Sequence, residues 1–153
     1  MEVALKIDVD THRGLAEGAP RLAQMLEREG VAASFYVAMG PDNSGRALVR
    51  LIRNPGFLKK MLRTRALATY GLRTVLSGTL LPARPVGAGF PSLLRELGER
   101  GFEVGVHGYD HVKWQDRLDG LGENGVRAEV HDAFEAYRAV FGGKPDGFAA
   151  PAW

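Results

Sequence analysis

The chain has no cysteine among its 153 residues. This absence excludes disulfide-stabilised folds, cysteine-ligated zinc, iron–sulfur clusters and thiol nucleophiles built from its own residues. Hydrophobic residues make up 45% of the sequence, and a chain of this length buries roughly 70% of the surface that its unfolded form exposes. We therefore expect one globular domain that folds without cross-links, in a reducing compartment.

Long hydrophobic runs are also missing. The apolar run 74–83 has ten residues, whereas a helix that crosses a bilayer needs about 20. Asp8 and Asp10 interrupt the apolar start of the chain, so we expect no signal peptide. The sequence predicts a soluble or peripheral protein.

Acidic residues are absent from residues 43–95, here called the basic segment. The rest of the chain carries ten Lys and Arg against 18 Asp and Glu, which makes it net acidic. This asymmetry indicates an anionic partner. The ten bases of the segment are Arg46, Arg50, Arg53, Lys59, Lys60, Arg63, Arg65, Arg73, Arg84 and Arg95.

Apolar side chains alternate with these bases at helical spacing. Such a pattern is typical of an interfacial helix on anionic lipid headgroups. Nucleic acid is a weaker alternative, because few aromatic residues suited to base stacking (Phe57 and Tyr70) lie here. An ordinary solvated basic face would normally include acids, so we expect an anionic membrane surface as partner and no nucleic acid.

Hydrophobic periodicity predicts strands that alternate with helices. The predicted strands are 3–10, 31–39, 102–107 and 147–150. The predicted helices are 15–29, 90–100 and 123–141, with two or three short ones in the basic segment. This alternation implies parallel pairing, and both an open doubly wound sheet and a (β/α) barrel fit it. Since four strands cannot close a barrel, we expect the amino-terminal part of a larger domain or an open half-barrel.

Polar residues follow two of the predicted strands. Asp8 and Asp10 lie on one face of the first strand, and His107 and His111 follow the third with a spacing that lets both bind one metal. Two histidines and one carboxylate suit catalytic zinc or the non-haem iron of oxygenases. Separately these pairs are typical of solvated loops, but their coincidence at strand ends favours a metal site. His12 is a further candidate, with an exposed loop position as the alternative.

The loop after the second strand has two interpretations. Asn43 or Ser44 would cap the following helix, which would leave free N–H groups and Arg46 to bind a phosphate. An ordinary capped loop explains the same residues. Trp114, three residues after His111, would either line the pocket or pack in the core.

At these residues the sequence resembles the polysaccharide deacetylase (NodB-homology) family, metal-dependent hydrolases that remove acyl groups from sugar amines. A deformylase subfamily of lipid A modification, which acts on undecaprenyl-phosphate-linked 4-formamido-arabinose, is the most similar. The motifs that carry the resemblance are Ile7-Asp8-Val9-Asp10-Thr11, Gly40-Pro41-Asp42-Asn43 and His107-Gly108-Tyr109-Asp110-His111, followed by Trp114-Gln115.

The resemblance implies the amino-terminal part of a NodB-type (β/α) barrel with a basic helical insertion. It implies that Asp8 is the general base and that Asp10, His107 and His111 bind one divalent metal ion. Zinc is the expected ion, with cobalt, nickel or manganese as alternatives. The family's Arg-x-Pro arginine is absent from residues 149–153, and its general-acid histidine is expected beyond this segment.

We therefore expect hydrolysis of a formamide on a lipid-linked amino sugar, at the cytoplasmic side of the bacterial inner membrane. Two alternatives remain open: a soluble N-deacetylase of peptidoglycan or chitooligosaccharide, and a non-catalytic fragment that binds membrane or metal. The residues expected to bind the substrate or its lipid are Asn43, Arg46, Lys59, Lys60, Arg63 and Trp114.

Overall fold

A computed structural model of the chain describes residues 3–46 and 71–151. Three strands, β1 (Lys6–Val9), β2 (Ser34–Val37) and β3 (Glu103–Val106), form a parallel sheet in chain order. Val37 lies opposite Val9 on one side and Val106 on the other. Because all three strands end at the same level, the residues that follow them meet at one edge of the sheet.

The helices fill the connections between the strands. A π-helical turn (Gly14–Gly18) leads into α1 (Ala19–Glu29) between β1 and β2. Between β2 and β3 the described residues include α2 (Leu72–Leu76) and α3 (Pro91–Glu99), with a 3-10 turn at Gly87–Gly89 between them. The long helix α4 (His111–Phe141) follows β3. The predicted alternation of strands and helices around a parallel sheet is confirmed.

Helix α4 differs from its sequence prediction. It begins at His111 rather than at residue 123, and Gly122 interrupts it with non-helical angles (φ 61°, ψ 176°). The predicted start at residue 123 therefore marks the break, while the first segment, 111–121, was not predicted. Three glycines within six residues around the end of this segment (Gly120, Gly122 and Gly125) weaken the local helical signal.

One face of the sheet forms the core. Phe35, Val37 and Val106 are fully buried there and pack with Leu94 and Leu97 of α3. Burying each such side chain contributes about 1.5–3 kcal/mol to folding. The opposite face is polar and more exposed, and its residues pair with one another: Lys6 with Asp8 at 3.0 Å, and the Tyr36 hydroxyl with Glu103 at 3.2 Å.

The predicted fourth strand, 147–150, is reduced to a single parallel bridge between Val106 and Phe148. The Val106 N–H donates to the Gly147 carbonyl at 3.0 Å, and the Ala149 N–H donates to the Val106 carbonyl at 2.9 Å. Prolines at 145 and 151 flank this segment and cannot donate to a sheet ladder. The bridge nevertheless places residues 147–149 beside the end of β3.

Six of the ten bases of the basic segment, including Lys59, Lys60 and Arg63, lie outside the described residues. Across residues 3–46 and 71–151, no helix combines the length and the apolar character that crossing a membrane requires.

Candidate metal centre

Three predicted ligands meet at the carboxyl edge of the sheet. Asp10 directly follows β1, His107 directly follows β3, and His111 is the first residue of α4. One ligand atom from each lies within 4.8 Å of the other two. The sequence prediction that these three residues share one site is therefore consistent with their geometry.

The carboxylate of Asp10 lies between the two imidazoles. Its Oδ1 is 3.4 Å from His107 Nε2, and its Oδ2 is 3.7 Å from His111 Nε2. The buried Oδ1 atom has no hydrogen-bond partner among the described residues, and an unsatisfied buried carboxylate oxygen is costly. A cation would satisfy it. Two imidazole nitrogens and one carboxylate oxygen are a common ligand set of catalytic zinc, so these residues fit a divalent metal ion.

His107 is fixed in one tautomer by a backbone carbonyl. The His107 Nδ1 atom is 2.8 Å from the Ala149 carbonyl oxygen, and the His107 side chain is 4% exposed. Since a carbonyl only accepts, Nδ1 must carry the hydrogen, and the lone pair of Nε2 is left for Asp10 or a metal. The sequence gives no signal for Ala149, because every residue has a carbonyl group. The sequence analysis predicted a strand over 147–150 but not its position beside β3.

The surroundings of His111 favour its neutral form. Burial lowers its pKa, the neighbouring His107 lowers it further, and Asp10 opposes both effects. Neutral imidazole is the form that binds metal. The environment of His111 therefore favours coordination.

Asp8 lies beside this group but is not among the three residues whose ligand atoms come together. Its Oδ2 pairs with Lys6 Nζ at 3.0 Å, and about one third of its side chain is exposed. The pKa of Tyr36 is raised mainly by burial and by Glu103, with a smaller contribution from the charge of Asp8. Asp8 thus has a solvated carboxylate near the site, as a general base requires.

Three of the predicted substrate-binding residues are described by the structure, and each contacts other residues of the chain. Asn43 is buried and donates from Nδ2 to Asp110 Oδ2 at 2.6 Å. Arg46 donates from Nε to the Gly78 carbonyl at 3.1 Å. Trp114 is buried, with its ring 5.9 Å from that of Phe148, which matches the packing alternative.

Asp42 organises the loop before Arg46, while the cap of the helix that follows lies outside what the described residues define. Asp42 Oδ1 accepts the Ser44 N–H at 3.1 Å. Asp42 Oδ2 accepts the His12 N–H at 2.9 Å. The ring of His12 makes an edge contact with Phe90, and His12 is not among the grouped ligands.

Sequence reasoning missed a buried polar network around Asp110. Glu129 accepts the Asp110 N–H at 3.1 Å and the Lys113 ammonium at 2.6 Å. Asp110 Oδ1 accepts the Lys113 N–H at 3.0 Å, which caps α4. Asp110 was recognisable as a helix cap from its residue type. Glu129 gave no such signal, because an acidic residue in a helix is usually exposed.

The sheet and the group of Asp10, His107 and His111 at its edge define an α/β domain with a candidate metal site. A family model described as polysaccharide deacetylase matches residues 2–152, so the chain belongs to the polysaccharide deacetylase family.

Two curated relatives are probable 4-deoxy-4-formamido-L-arabinose-phosphoundecaprenol deformylases. The protein of Shewanella sediminis is 38% identical over 141 residues, covering 92% of this chain and 46% of the relative. The protein of Wigglesworthia glossinidia brevipalpis is 29% identical over 140 residues, covering 92% and 48%. The chain therefore spans about half the length of these relatives.

Solved structures show the same fold at low sequence identity. The family 4 carbohydrate esterase of Streptomyces lividans in complex with acetate has a TM-score of 0.55 and 18% identity, covering 97% of this chain and 50% of its own. A family 4 pseudoenzyme of Bacillus anthracis has a TM-score of 0.54 and 16% identity, covering 97% and 34%. The predicted NodB-type fold is confirmed, as a part of the larger domain.

Proposed function

We propose that this chain carries the metal site and the general base of an amide hydrolase that removes a formyl group from an undecaprenyl-phosphate-linked 4-formamido sugar of lipid A modification. The observation that carries the proposal is the unpartnered Asp10 Oδ1 facing the Nε2 atom of His107. The identity to relatives named as deformylases supports the choice of substrate.

Asp10, His107 and His111 would hold the metal. A divalent ion bound there supplies positive charge that polarises a carbonyl and lowers the pKa of water towards about 7. The Ala149 carbonyl keeps the His107 ring in its binding tautomer. The three side chains come from two strand ends and a helix start, so the site is built on rigid elements.

Asp8 would accept the proton of the attacking water. The Asp8 carboxylate is about one third exposed and pairs with Lys6. Because Asp8 and Asp10 are two residues apart, their side chains lie on the same strand face. Addition of water to the formamide and cleavage of the carbon–nitrogen bond yield formate and a free sugar amine. The amine takes up a proton at neutral pH, so the product is more cationic than the substrate.

The assay that tests this proposal measures formate released from the lipid-linked 4-formamido sugar, with the matched 4-acetamido sugar in parallel. We expect the full-length enzyme to release formate, and this release to be abolished by Asp10→Ala and unaffected by Glu123→Gln, an exposed substitution on α4. Acetate release without formate release would contradict the choice of formyl group. No release from either substrate by the folded, metal-loaded full-length enzyme would contradict amide hydrolysis.

A second candidate is an N-deacetylase of polysaccharide or peptidoglycan, and the description of the matched family favours it. Acetate release from chitooligosaccharide or peptidoglycan distinguishes the two. The basic segment favours the lipid-linked substrate, because a cationic surface attracts anionic lipid. We accordingly propose a peripheral location on the cytoplasmic leaflet of the inner membrane.

A further inference from the structure

Asp110 lies between the two histidine ligands in the chain and is held from three directions. Its backbone N–H donates to Glu129, and its two carboxylate oxygens accept from Asn43 Nδ2 and from the Lys113 N–H. Asp110 immediately precedes His111, whose backbone starts α4. Whatever fixes Asp110 therefore also fixes the direction from which His111 approaches Asp10.

Glu129 is distant from Asp110 in the chain and lies beyond the break at Gly122. Its side chain is 3% exposed, whereas that of its partner Lys113 is 41% exposed. The ion pair between them raises the pKa of Lys113, and it joins the two segments of α4. A buried carboxylate of this kind loses its hydration, so an ion pair with a half-exposed lysine is a weak source of stability.

The hydrogen bond to Asp110 gives Glu129 a more specific role. Other N–H groups near this loop bond to backbone carbonyls: Met39 donates to Gly108, and Gly40 donates to Tyr109. At Asp110 the acceptor is a side chain, Glu129 Oε2. Removing it would leave a buried N–H without a partner and would free the residue next to His111 to shift.

We propose that Glu129 is a positioning residue for the metal centre, acting through the Asp110 N–H on the orientation of His111. The inference rests on the proposed metal site. Residues that orient metal ligands typically change metal affinity about 10- to 100-fold when they are substituted, and we expect a loss of this size when the acceptor is removed.

Two double variants isolate the hydrogen bond. Lys113→Met with Glu129→Gln removes both charges but keeps a side-chain oxygen that accepts the Asp110 N–H. Lys113→Met with Glu129→Leu removes the charges and the acceptor together. Glu123→Gln is the control, because Glu123 is an exposed residue of the same helix that pairs with Arg127.

The measurements are the dissociation constants of Zn²⁺ and Co²⁺, the visible spectrum of bound Co²⁺, and the unfolding temperature without metal. We expect the glutamine variant and the control to bind within about threefold of the wild type. The leucine variant should bind about 10- to 100-fold more weakly with an altered Co²⁺ spectrum. Equal affinities of the two double variants would overturn the proposal. A leucine variant that does not fold would also overturn it, because Glu129 would then be purely structural.

The binding results also distinguish a failure of the proposed metal site from a failure of the role of Glu129. If the wild type binds no divalent ion, or if His107→Ala binds as tightly as the wild type, the proposed function fails. If the wild type binds through His107 and both double variants bind equally well, only the role of Glu129 fails.

Discussion

Asp10 and Asp8 are two residues apart on the same strand face, yet their surroundings differ. The two side chains are similarly exposed, but Asp10 lies between two imidazoles with one buried oxygen that has no donor among the described residues, whereas Asp8 pairs with the ammonium of Lys6. A carboxylate oxygen that faces two imidazoles without a donor is suited to a cation, and a carboxylate outside that group is left for proton transfer. The two residues therefore have separate predicted roles.

Substituting Asp8 with Asn in the full-length enzyme should leave metal binding intact and slow hydrolysis. The amide keeps the size of the side chain but cannot take a proton, so we expect formate release to fall by about 100-fold or more. Metal content of the purified variant and its rate of formate release measure the two effects. Loss of the metal would make Asp8 a ligand, and a rate near that of the wild type would remove it from the mechanism.

Gly40 is a second residue on which the site depends. A Cβ atom at this position would lie 2.7 Å from the Tyr109 carbonyl oxygen, in the loop between His107 and His111. Gly40→Ala should therefore lower the free energy of unfolding by about 1–3 kcal/mol and weaken metal binding.

Gly143→Ala is the matched control for that change, because a Cβ there meets nothing within 4 Å. Urea unfolding of both variants tests the prediction. Equal stability of Gly40→Ala and Gly143→Ala would contradict the prediction, since the loop would then accommodate the Cβ atom without a loss of stability.

The sequence was sufficient to predict the grouping of Asp10, His107 and His111, because residue type and strand-end position are both local properties. It was not sufficient for Ala149 and Glu129. One acts through a backbone carbonyl and the other across a helix break. Both depend on packing between distant parts of the chain, which a single sequence does not encode locally.

At the scale of elements, α4 shows where periodicity fails. The predicted helix 123–141 is present. The preceding helical segment, 111–121, was not predicted, because its glycine and exposed polar residues obscure the helical periodicity of hydrophobic side chains. The fourth strand was predicted over four residues and forms one bridge. The bridge lies beside β3, a position that the sequence analysis did not predict.

The break in α4 depends on the backbone freedom of Gly122. Its angles (φ 61°, ψ 176°) are in a region that is essentially restricted to glycine. Gly122→Ala should destabilise the protein by about 1–3 kcal/mol, although a Cβ there meets nothing within 4 Å.

Gly120→Ala provides the opposite expectation on the same helix. Gly120 is helical and exposed, and its Cβ would also meet nothing within 4 Å. Because alanine favours the helix, this change should stabilise the protein by about 0.5–1 kcal/mol. Thermal unfolding of the two variants decides: changes of the same sign would contradict a break at Gly122.

At the scale of the whole molecule, charge is separated along the chain. The segment 43–95 carries ten bases and no acid, while the rest is net acidic. Six of these ten bases lie outside the described residues, so the membrane role of the segment stays a prediction. Fold class and family membership, by contrast, followed from alternation of elements and from a few motifs that the chain retains over residues 2–152.

Binding to anionic vesicles tests the membrane prediction. The variant Lys59→Glu, Lys60→Glu, Arg63→Glu should sediment less with anionic liposomes than the wild type. Wild-type binding should weaken as salt shortens the Debye length from about 10 Å at 0.1 M towards 3 Å at 1 M. Arg21→Glu, Arg28→Glu, Arg127→Glu changes the net charge equally outside the basic segment and is the control. Equal loss in both triple variants would indicate net charge alone, and binding that ignores anionic lipid would contradict the prediction.

The central claim is that Asp10, His107 and His111 bind one divalent metal ion. The most direct measurement is the metal content of the purified chain and of His107→Ala after equilibration with Zn²⁺ and removal of unbound ion. We predict about one equivalent in the wild type and almost none in the variant, because His107 supplies the Nε2 atom that faces the unpartnered oxygen of Asp10. Equal metal content in the two proteins would contradict the claim.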